Sequence, residues 1–174
     1  MWKTLRQIAR VGIATERPPA ADEELRLREG LQARILAVMG RALCIRAVDA
    51  GSCNGCELEI HALNNPVYNL EGLGIRFVAS PRHADLLLVT GPVSAHMEVA
   101  LLRTYEATPD PKLVVAIGDC GCTGGVFGES YASRGRVSNV VPVDVAVPGC
   151  PPSPSRIMAG ILTAITSRGE PAAR

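Results

Sequence analysis

The chain has 174 residues and a formal net charge of +1, with 47% apolar residues but only 3% aromatic ones. This length suits one compact domain with a short appendage, and the core of that domain must be aliphatic. The near-neutral charge gives no reason to expect nucleic acid as a partner, and no apolar run of about 18 residues is present to span a bilayer.

The first 40 residues predict two helices joined by a breaker. Residues 1–14 form a short amphipathic pattern, with an apolar side and a basic side made by Trp2, Leu5 and Ile8 and by Lys3, Arg6 and Arg10. This pattern predicts a helix against a membrane arm or the bilayer surface; a frayed terminus and a cleaved presequence are the alternatives. Pro18 and Pro19 then interrupt the chain, and residues 22–40 predict a second helix with Asp22 as its N-cap.

From residue 43 onward the sequence alternates between short apolar runs and helical stretches. Five runs are rich in aliphatic and β-branched residues and are bounded by Gly and Pro, as buried parallel strands are: 43–48, 74–80, 85–90, 112–117 and 143–147. Helical patterns lie between several of these runs, at 57–63, 94–105 and 155–166. This alternation predicts an α/β fold with an open, mainly parallel sheet flanked by helices.

The cysteines follow the predicted strands. Cys53 and Cys56 lie just past the first strand, Cys120 just past the fourth and Cys150 just past the fifth. Because the carboxyl ends of parallel strands lie along one edge of a sheet, we expect these four thiols to converge there. Without a secretory signal, so many cysteines more often bind metal or do redox chemistry than form disulfides.

Four converging thiolates need a cation, and an iron–sulfur cluster and a structural zinc ion are the natural candidates. Zinc sites usually use two close cysteine pairs, whereas here only Cys53 and Cys56 form one. Cys150 is followed by Pro151, as the last ligand is in some ferredoxins, and glycines flank every candidate ligand. A thioredoxin-like redox pair is a further alternative, although it leaves Cys120 and Cys150 without a role.

Two other cysteines are predicted not to be ligands. Cys44 lies inside an apolar strand and is expected to be a buried core thiol. Cys122 is two residues from Cys120 and is the alternative to it as a ligand, but a single site does not easily take both from so tight a turn.

Charged residues near the cysteines have two interpretations. Glu57 and Glu59 either favour the dipole of the helix that follows the C-x2-C pair or carry protons or contact a partner beside the metal. Arg82, beside His83, is either a solvated loop residue or a partner contact. Three polar residues are expected to have only surface, capping or turn roles: His61, His96 and Asp119. A nucleotide-binding role is not expected, because no phosphate-binding Gly-rich loop is present. No catalytic residue is predicted, because no Ser-His-Asp or Cys-His arrangement suggests hydrolysis.

Four segments of the sequence are similar to one known family: GSCNGCELEI at 51–60, SPRHADLLLVTGPV at 80–93, GDCGCTGGVF at 118–127 and PVDVAVPGCPPSP at 142–154. They resemble the electron-transfer subunit that respiratory complex I (NADH–quinone oxidoreductase) shares with [NiFe] hydrogenases, where it is the small subunit. The resemblance covers roughly residues 43–166. It implies a flavodoxin-like fold. We therefore expect a flavodoxin-like domain over 41–170, and the helical patterns before it predict that residues 1–40 form a helical N-terminal extension.

The resemblance also implies a function and its residues. It implies one [4Fe–4S] cluster, which passes electrons to or from the active site of a partner large subunit, on Cys53, Cys56, Cys120 and Cys150. It implies no ligand at Cys122. Glu59 matches an acidic position of the family, and the loop that contains Arg82 lies toward the large subunit in the family.

The C-x2-C spacing resembles the hydrogenase form of the family, since complex I proteins have two adjacent cysteines there. No cysteine follows Cys150 to hold the further clusters of ordinary hydrogenase small subunits. The chain therefore resembles the small subunit of membrane-bound, energy-converting hydrogenases of the formate hydrogenlyase type. The alternatives are the equivalent subunit of an NADH– or ferredoxin–quinone oxidoreductase, a nickel-free relative and a zinc-binding structural subunit.

The implied partners are a large catalytic subunit, a ferredoxin-like polyferredoxin subunit and membrane arm subunits. A subunit with one cluster cannot complete a catalytic cycle by itself, so an obligate hetero-oligomer is expected. The expected location is peripheral, at the cytoplasmic face of the inner or plasma membrane.

Overall fold

The computed structural model describes residues 21–169 and, before them, only Trp2, Lys3, Arg6 and Ala9. The regular elements of the continuous part are, in chain order, α1 (Ala21–Met39), β1 (Leu43–Asp49), α2 (Gly55–Ala62), β2 (Ile75–Phe77), β3 (Leu86–Thr90), α3 (Glu98–Ala107), β4 (Leu113–Ile117), α4 (Gly118–Thr123), β5 (Val145–Val147) and α5 (Pro154–Gly169). Short 3-10 turns lie at Leu70–Leu73, Pro81–His83 and Val137–Asn139.

The five strands form one sheet in the order β2-β1-β3-β4-β5, and every neighbouring pair is parallel. This is the strand order of flavodoxin-like folds, in which the order reverses between β1 and β3. The predicted open parallel sheet with flanking helices is therefore confirmed. Ligands of such sheets bind beside the carboxyl ends of the strands, where the β1, β4 and β5 connections leave the sheet.

The core lies on both faces of the sheet, because successive strand residues point to opposite sides. Leu88 and Val115 face one layer, which α1, α2 and α5 cover, while Leu87 and Val89 face the other, which α3 covers. All residues of β3 and β4 are buried, which explains why these two strands are continuous apolar runs.

Helix α1 confirms the helix predicted over 22–40, and it contributes to the core instead of standing apart from it. Leu31 and Ile35 are fully buried in the same layer as α5. The Arg34 guanidinium donates to the carbonyl of Thr166 in α5, at 3.3 Å. The division of the chain at residue 40 into an extension and a domain stays a prediction.

Three elements differ from the sequence-based expectation. The strand predicted over 74–80 ends at Phe77, since the chain then turns through Pro81–His83 toward β3. The helix predicted from Ser94 begins at Glu98, because the Ser94 backbone bridges to Ser133. A short helix, α4, has no counterpart among the predicted elements; its two glycines are typical of a turn.

Most of the helix predicted over residues 1–14 lies outside the described residues, as do Pro18 and Pro19. Its four described residues, Trp2, Lys3, Arg6 and Ala9, are helical and exposed. Within the described ranges, no helix combines the length and the apolar character needed to cross a bilayer.

Candidate metal centre

The connection after β1 carries Cys53 and Cys56. Asp49, the last residue of β1, accepts hydrogen bonds through Oδ1 from the backbone N–H groups of Gly51 and Ser52, both at 2.8 Å. This turn directs the chain away from the sheet and into α2. Cys53 therefore lies in the loop, and Cys56 lies in the first turn of the helix.

The connection after β4 carries Cys120. Helix α4 begins directly where the strand ends, at Gly118, whose φ of +83° favours glycine. The backbone then folds back over the cysteine, so that a Cβ atom at Gly125 would come within 2.7 Å of the Cys120 sulfur. Glycine at 125 therefore lets the main chain approach this thiol closely.

The connection after β5 carries Cys150, and it is hydrogen-bonded to the Cys120 connection. The Asp119 N–H donates to the Gly149 carbonyl at 2.9 Å. In return, the Gly149 N–H donates to Oδ1 of Asp119 at 2.8 Å. Each of these two residues directly precedes a cysteine.

The three connections meet at Gly118. A Cβ atom there would lie 2.6 Å from Sγ of Cys56 and 3.4 Å from the carbonyl oxygen of Gly149. Cys53 and Cys150 are exposed at this edge, and Cys56 and Cys120 are half-buried. The predicted convergence of the connections after β1, β4 and β5 is thus present, with glycine at their meeting point.

The thiols interact electrostatically. The pKa of Cys56 is raised to about 12, first by burial and then by the charges of Glu57, Cys53, Cys120 and Cys150. The pKa of Cys120 is also raised, first by burial and then by Cys150 and Cys53. Thiolates that repel one another in this way are stable as a set only with a cation among them.

These residues fit an iron–sulfur cluster by the chemistry of the donor set. Cys53, Cys56, Cys120 and Cys150 are free thiols on the three connections, and thiolates are the ligands that such clusters take. In the part of the chain that the structure describes, no group of three or more His, Cys, Asp or Glu side chains is arranged so that it could hold a metal ion. The ligand assignment therefore rests on the shared edge of the sheet and on the mutual interaction of the four thiols.

The other two cysteines are directed elsewhere. The Cys122 thiol lies 3.7 Å from the Ala116 carbonyl oxygen in β4, and its pKa is raised by burial and by Asp119, not by another cysteine. Cys44 is half-buried and lies at the amino end of β1, where it lines a cavity of about 540 Å³ with Arg41 and Asp85. It is therefore not the core thiol that its apolar strand predicts.

The charged residues named from the sequence divide between the two edges of the sheet. Glu57 is in the first turn of α2, and both its carboxylate oxygens are buried without a hydrogen-bond partner in the described residues. Glu59 is half-buried two residues further along the same helix. Arg82 and His83 line the cavity at the amino end of the strands with Cys44, so the fold does not bring them to the four candidate ligands.

Asp119 has a larger role near the cysteines than its sequence context indicates. The sequence predicts only a turn residue, whereas the Asp119 carboxylate joins the Cys120 and Cys150 connections. Its partner is 30 residues away, so no local pattern reveals the contact. In the sequence, only the position of Asp119 directly before a candidate ligand indicates that it has a role near the cysteines.

Comparison with known proteins identifies the family. The family described as "NADH ubiquinone oxidoreductase, 20 Kd subunit" matches residues 53–164. Formate hydrogenlyase subunit 7 of Escherichia coli K12 is 41% identical over 148 residues, which are 85% of this chain and 57% of that protein. The probable membrane-bound hydrogenase subunit mbhJ of Pyrococcus furiosus is 47% identical over 133 residues, 76% of this chain and 80% of that protein.

A solved structure is similar to this chain in both sequence and fold. One chain of the membrane-bound sulfane sulfur reductase, an archaeal respiratory membrane complex, superimposes with a TM-score of 0.64 at 35% identity, covering 82% of this chain and 77% of that one. The match over residues 53–164 includes all three cysteine-bearing connections. This chain belongs to the family of the 20 kDa subunit of NADH–ubiquinone oxidoreductase, which includes subunits of hydrogenase complexes.

Proposed function

We propose that the chain is an electron-relay subunit with one [4Fe–4S] cluster, in a membrane-associated [NiFe] hydrogenase related to complex I. The observation that carries the proposal is the meeting of three strand connections at Gly118, where the Cys56 sulfur and the Gly149 carbonyl lie against the backbone that leads into Cys120. In this proposal Cys53, Cys56, Cys120 and Cys150 bind the cluster. When bound, a [4Fe–4S] cluster supplies one-electron transfer at a potential that its surroundings tune.

The residues of the chain then have distinct tasks. Gly118 and Gly125 keep side chains away from the Cys56 and Cys120 sulfurs, so that the cluster has room. Burial of Cys56 and Cys120 limits the access of water on the protein side. Proton transfer through Glu59 or Glu57 and a partner contact at Arg82 stay predictions.

This chain presents exposed apolar side chains near its candidate ligands, and we propose that the large catalytic subunit binds there. Val126 is 99% exposed and Phe127 is 63% exposed, in the segment that directly follows the helix of Cys120. Leu58, two residues after Cys56, is 63% exposed. Exposed apolar side chains in the segments that carry a cofactor's ligands are typical of a protein–protein interface. We call Leu58, Val126 and Phe127 the apolar rim.

The names of the relatives support the remaining partners. Two relatives are named as subunits of formate hydrogenlyase and of a membrane-bound hydrogenase. By analogy we propose a ferredoxin-like polyferredoxin subunit, membrane arm subunits and an obligate hetero-oligomer. The proposed location is peripheral, at the cytoplasmic face of the membrane.

A second candidate is a reductase complex of the same architecture without hydrogenase activity. The superimposed structure belongs to a sulfane sulfur reductase, and the matching family is described from an NADH–ubiquinone oxidoreductase. The equivalent subunit of an NADH– or ferredoxin–quinone oxidoreductase and a nickel-free relative are both of this kind. Assays of the purified complex for hydrogen oxidation, quinone reduction and sulfane sulfur reduction, with nickel analysis, separate these candidates.

The test of the relay function is anaerobic purification of the full chain with its subunits, followed by iron, acid-labile sulfide and zinc analysis. We expect a reduced [4Fe–4S] signal in low-temperature EPR after addition of dithionite. Because the polyferredoxin subunit contributes clusters of its own, alanine at Cys53, Cys56, Cys120 or Cys150 should remove one [4Fe–4S] component from this spectrum, and the matched variants Cys44→Ala and Cys122→Ala should keep it. Stoichiometric zinc, with no [4Fe–4S] component that depends on these four cysteines, would contradict the proposal and favour a structural zinc subunit.

A further inference from the structure

Strands β4 and β5 are joined near both of their ends by the same kind of contact. At the amino end, the Asp144 N–H donates to the Val114 carbonyl at 2.9 Å, and the Val114 N–H donates to Oδ2 of Asp144 at 2.7 Å. At the carboxyl end, Asp119 and Gly149 exchange two hydrogen bonds in the same way. In each pair, an aspartate carboxylate and its own backbone N–H bind the backbone of the neighbouring segment.

The carboxyl-end pair extends the register of the two strands. Val115 pairs with Val145 and Ile117 with Val147, an offset of 30 residues that Asp119 and Gly149 also share. Because α4 begins at Gly118, the backbone carbonyls from this residue onward point along the helix axis and no longer face β5. The Gly149 N–H therefore needs another acceptor, and the Asp119 side chain supplies it.

The cysteines lie one residue further along each segment. Cys120 follows Asp119 and Cys150 follows Gly149, so the same offset of 30 residues separates the two thiols. Two opposed hydrogen bonds fix both the translation and the rotation of one backbone against the other. The separation of the Cys120 and Cys150 backbones is thereby set one residue away from each thiol.

We propose that Asp119 is a positioning residue, which holds the Cys120 and Cys150 connections at the separation that a shared cluster requires. This inference rests on the proposed cluster-binding function. It assigns two separable tasks to the carboxylate. First, its oxygen accepts the hydrogen bond from the Gly149 N–H, which holds the Cys120 and Cys150 backbones at a fixed separation. Second, its negative charge beside Cys120 favours the oxidised cluster and so lowers the reduction potential of the cluster.

The test compares variants of the full chain, purified anaerobically with its subunits. Iron release to a chelator is followed as loss of the EPR component that this chain contributes, and the midpoint potential is measured on that same component. Asp119→Ala should release iron about tenfold faster than the wild type, the factor that corresponds to the loss of one hydrogen bond to a charged group. Asp119→Asn keeps an acceptor oxygen, so it should release iron at the wild-type rate while its midpoint potential rises.

The matched control is Asp144→Ala, which removes the equivalent hydrogen bond at the opposite end of the same strand pair. It should lower the melting temperature but leave iron release and the potential unchanged. If Asp119→Ala does not accumulate, Asp119→Glu takes its place. It keeps the charge but misplaces the oxygen, so we expect faster iron release at an unchanged potential.

The outcomes separate this inference from the proposed function. A wild-type chain without iron and sulfide would overturn the cluster itself. A wild-type chain that holds the cluster, with iron release from Asp119→Ala no faster than from Asp144→Ala, would overturn only the positioning role. Equal iron release from Asp119→Asn and Asp119→Ala would also overturn it, because the retained acceptor would then have no effect.

Discussion

The backbone of Gly118 lies directly against the Cys56 sulfur, since a Cβ atom on this glycine would be only 2.6 Å from Sγ. The φ of Gly118 is +83°, a conformation that costs other residues roughly 1–2 kcal/mol. Gly118→Ala should therefore displace Cys56 and cause loss of iron, measured as iron per chain after anaerobic purification.

The control for this substitution is Gly30→Ala in α1. A Cβ atom at Gly30 meets nothing within 4 Å, so alanine should keep the iron and stabilise the chain by about 0.5–1 kcal/mol. Full iron content in Gly118→Ala would show that the three connections tolerate a side chain at their meeting point, contrary to the structure.

The metal-free chain should lose stability in alkali. The pKa of Cys56 is raised in the folded chain from 9.0 to about 12, chiefly by burial, so the folded state retains a proton that the unfolded state loses. Stability is thus fully present below about pH 9 and falls as the pH rises toward 12. Urea unfolding of iron-free protein between pH 8 and about pH 11 measures the effect.

The control for the alkaline effect is Cys56→Ala, which removes the titrating thiol. Its unfolding midpoint should fall less between the same pH values than that of the iron-free parent chain. An identical pH dependence in the two proteins would assign the alkaline loss of stability to other groups.

The apolar rim should govern assembly and not cluster retention. Phe127→Ala combined with Val126→Ser removes apolar surface that is 63% and 99% exposed, so the fold should keep its stability. Co-purification of the large subunit should decrease severalfold while the iron content of the chain is unchanged.

Val67→Ser is the matched control for the apolar rim. Val67 is 64% exposed, and it lies in the connection between α2 and β2, outside the rim. Co-purification should stay at the wild-type level in this variant. Equal loss of the large subunit in both proteins would mean that the rim has no special part in docking.

At the opposite edge of the sheet, Asp85 is a structural residue. Its nearly buried carboxylate accepts hydrogen bonds from Arg41 at 2.6 and 3.1 Å and from the Cys44 N–H at 3.0 Å, and it raises the pKa of Arg41. Asp85→Ala leaves the Cys44 N–H without its acceptor and should cost about 2–4 kcal/mol in urea unfolding.

Asp110→Ala provides the comparison for Asp85. The Asp110 side chain is 83% exposed, and its carboxylate lies 3.5 Å from Nζ of Lys112, so its removal should cost less than about 1 kcal/mol. Similar losses for Asp85→Ala and Asp110→Ala would contradict the structural role of the buried contact.

Local pattern is sufficient to predict the sheet and the placement of its cysteines. Strands β3 and β4 are almost entirely aliphatic runs, each followed directly by glycine, so their positions and the place of Cys120 after β4 follow from composition. The shorter β2 is predicted too long, since its end depends on where the chain turns at Pro81.

Contacts between distant segments cannot be predicted in the same way. The Asp119–Gly149 hydrogen bonds join residues 30 positions apart, and they form only after β4 and β5 are in register. Helix α4 is not predicted for a related reason. Its glycines are typical of a turn, and the segment is helical because it lies between the end of β4 and Gly124, whose φ is +92°. The buried oxygens of Glu57 likewise depend on neighbours that the sequence does not identify.

The candidate ligands come from the connections after β1, β4 and β5, so their convergence depends on the whole sheet. A chain with β5 out of register would hold Cys150 away from the other three thiols, because that strand aligns the last connection. A cofactor that binds only the native arrangement stabilises it by mass action and leaves misfolded forms without this gain. Insertion of the cluster would then select for correctly folded chains, because only chains with every strand in register would be stabilised.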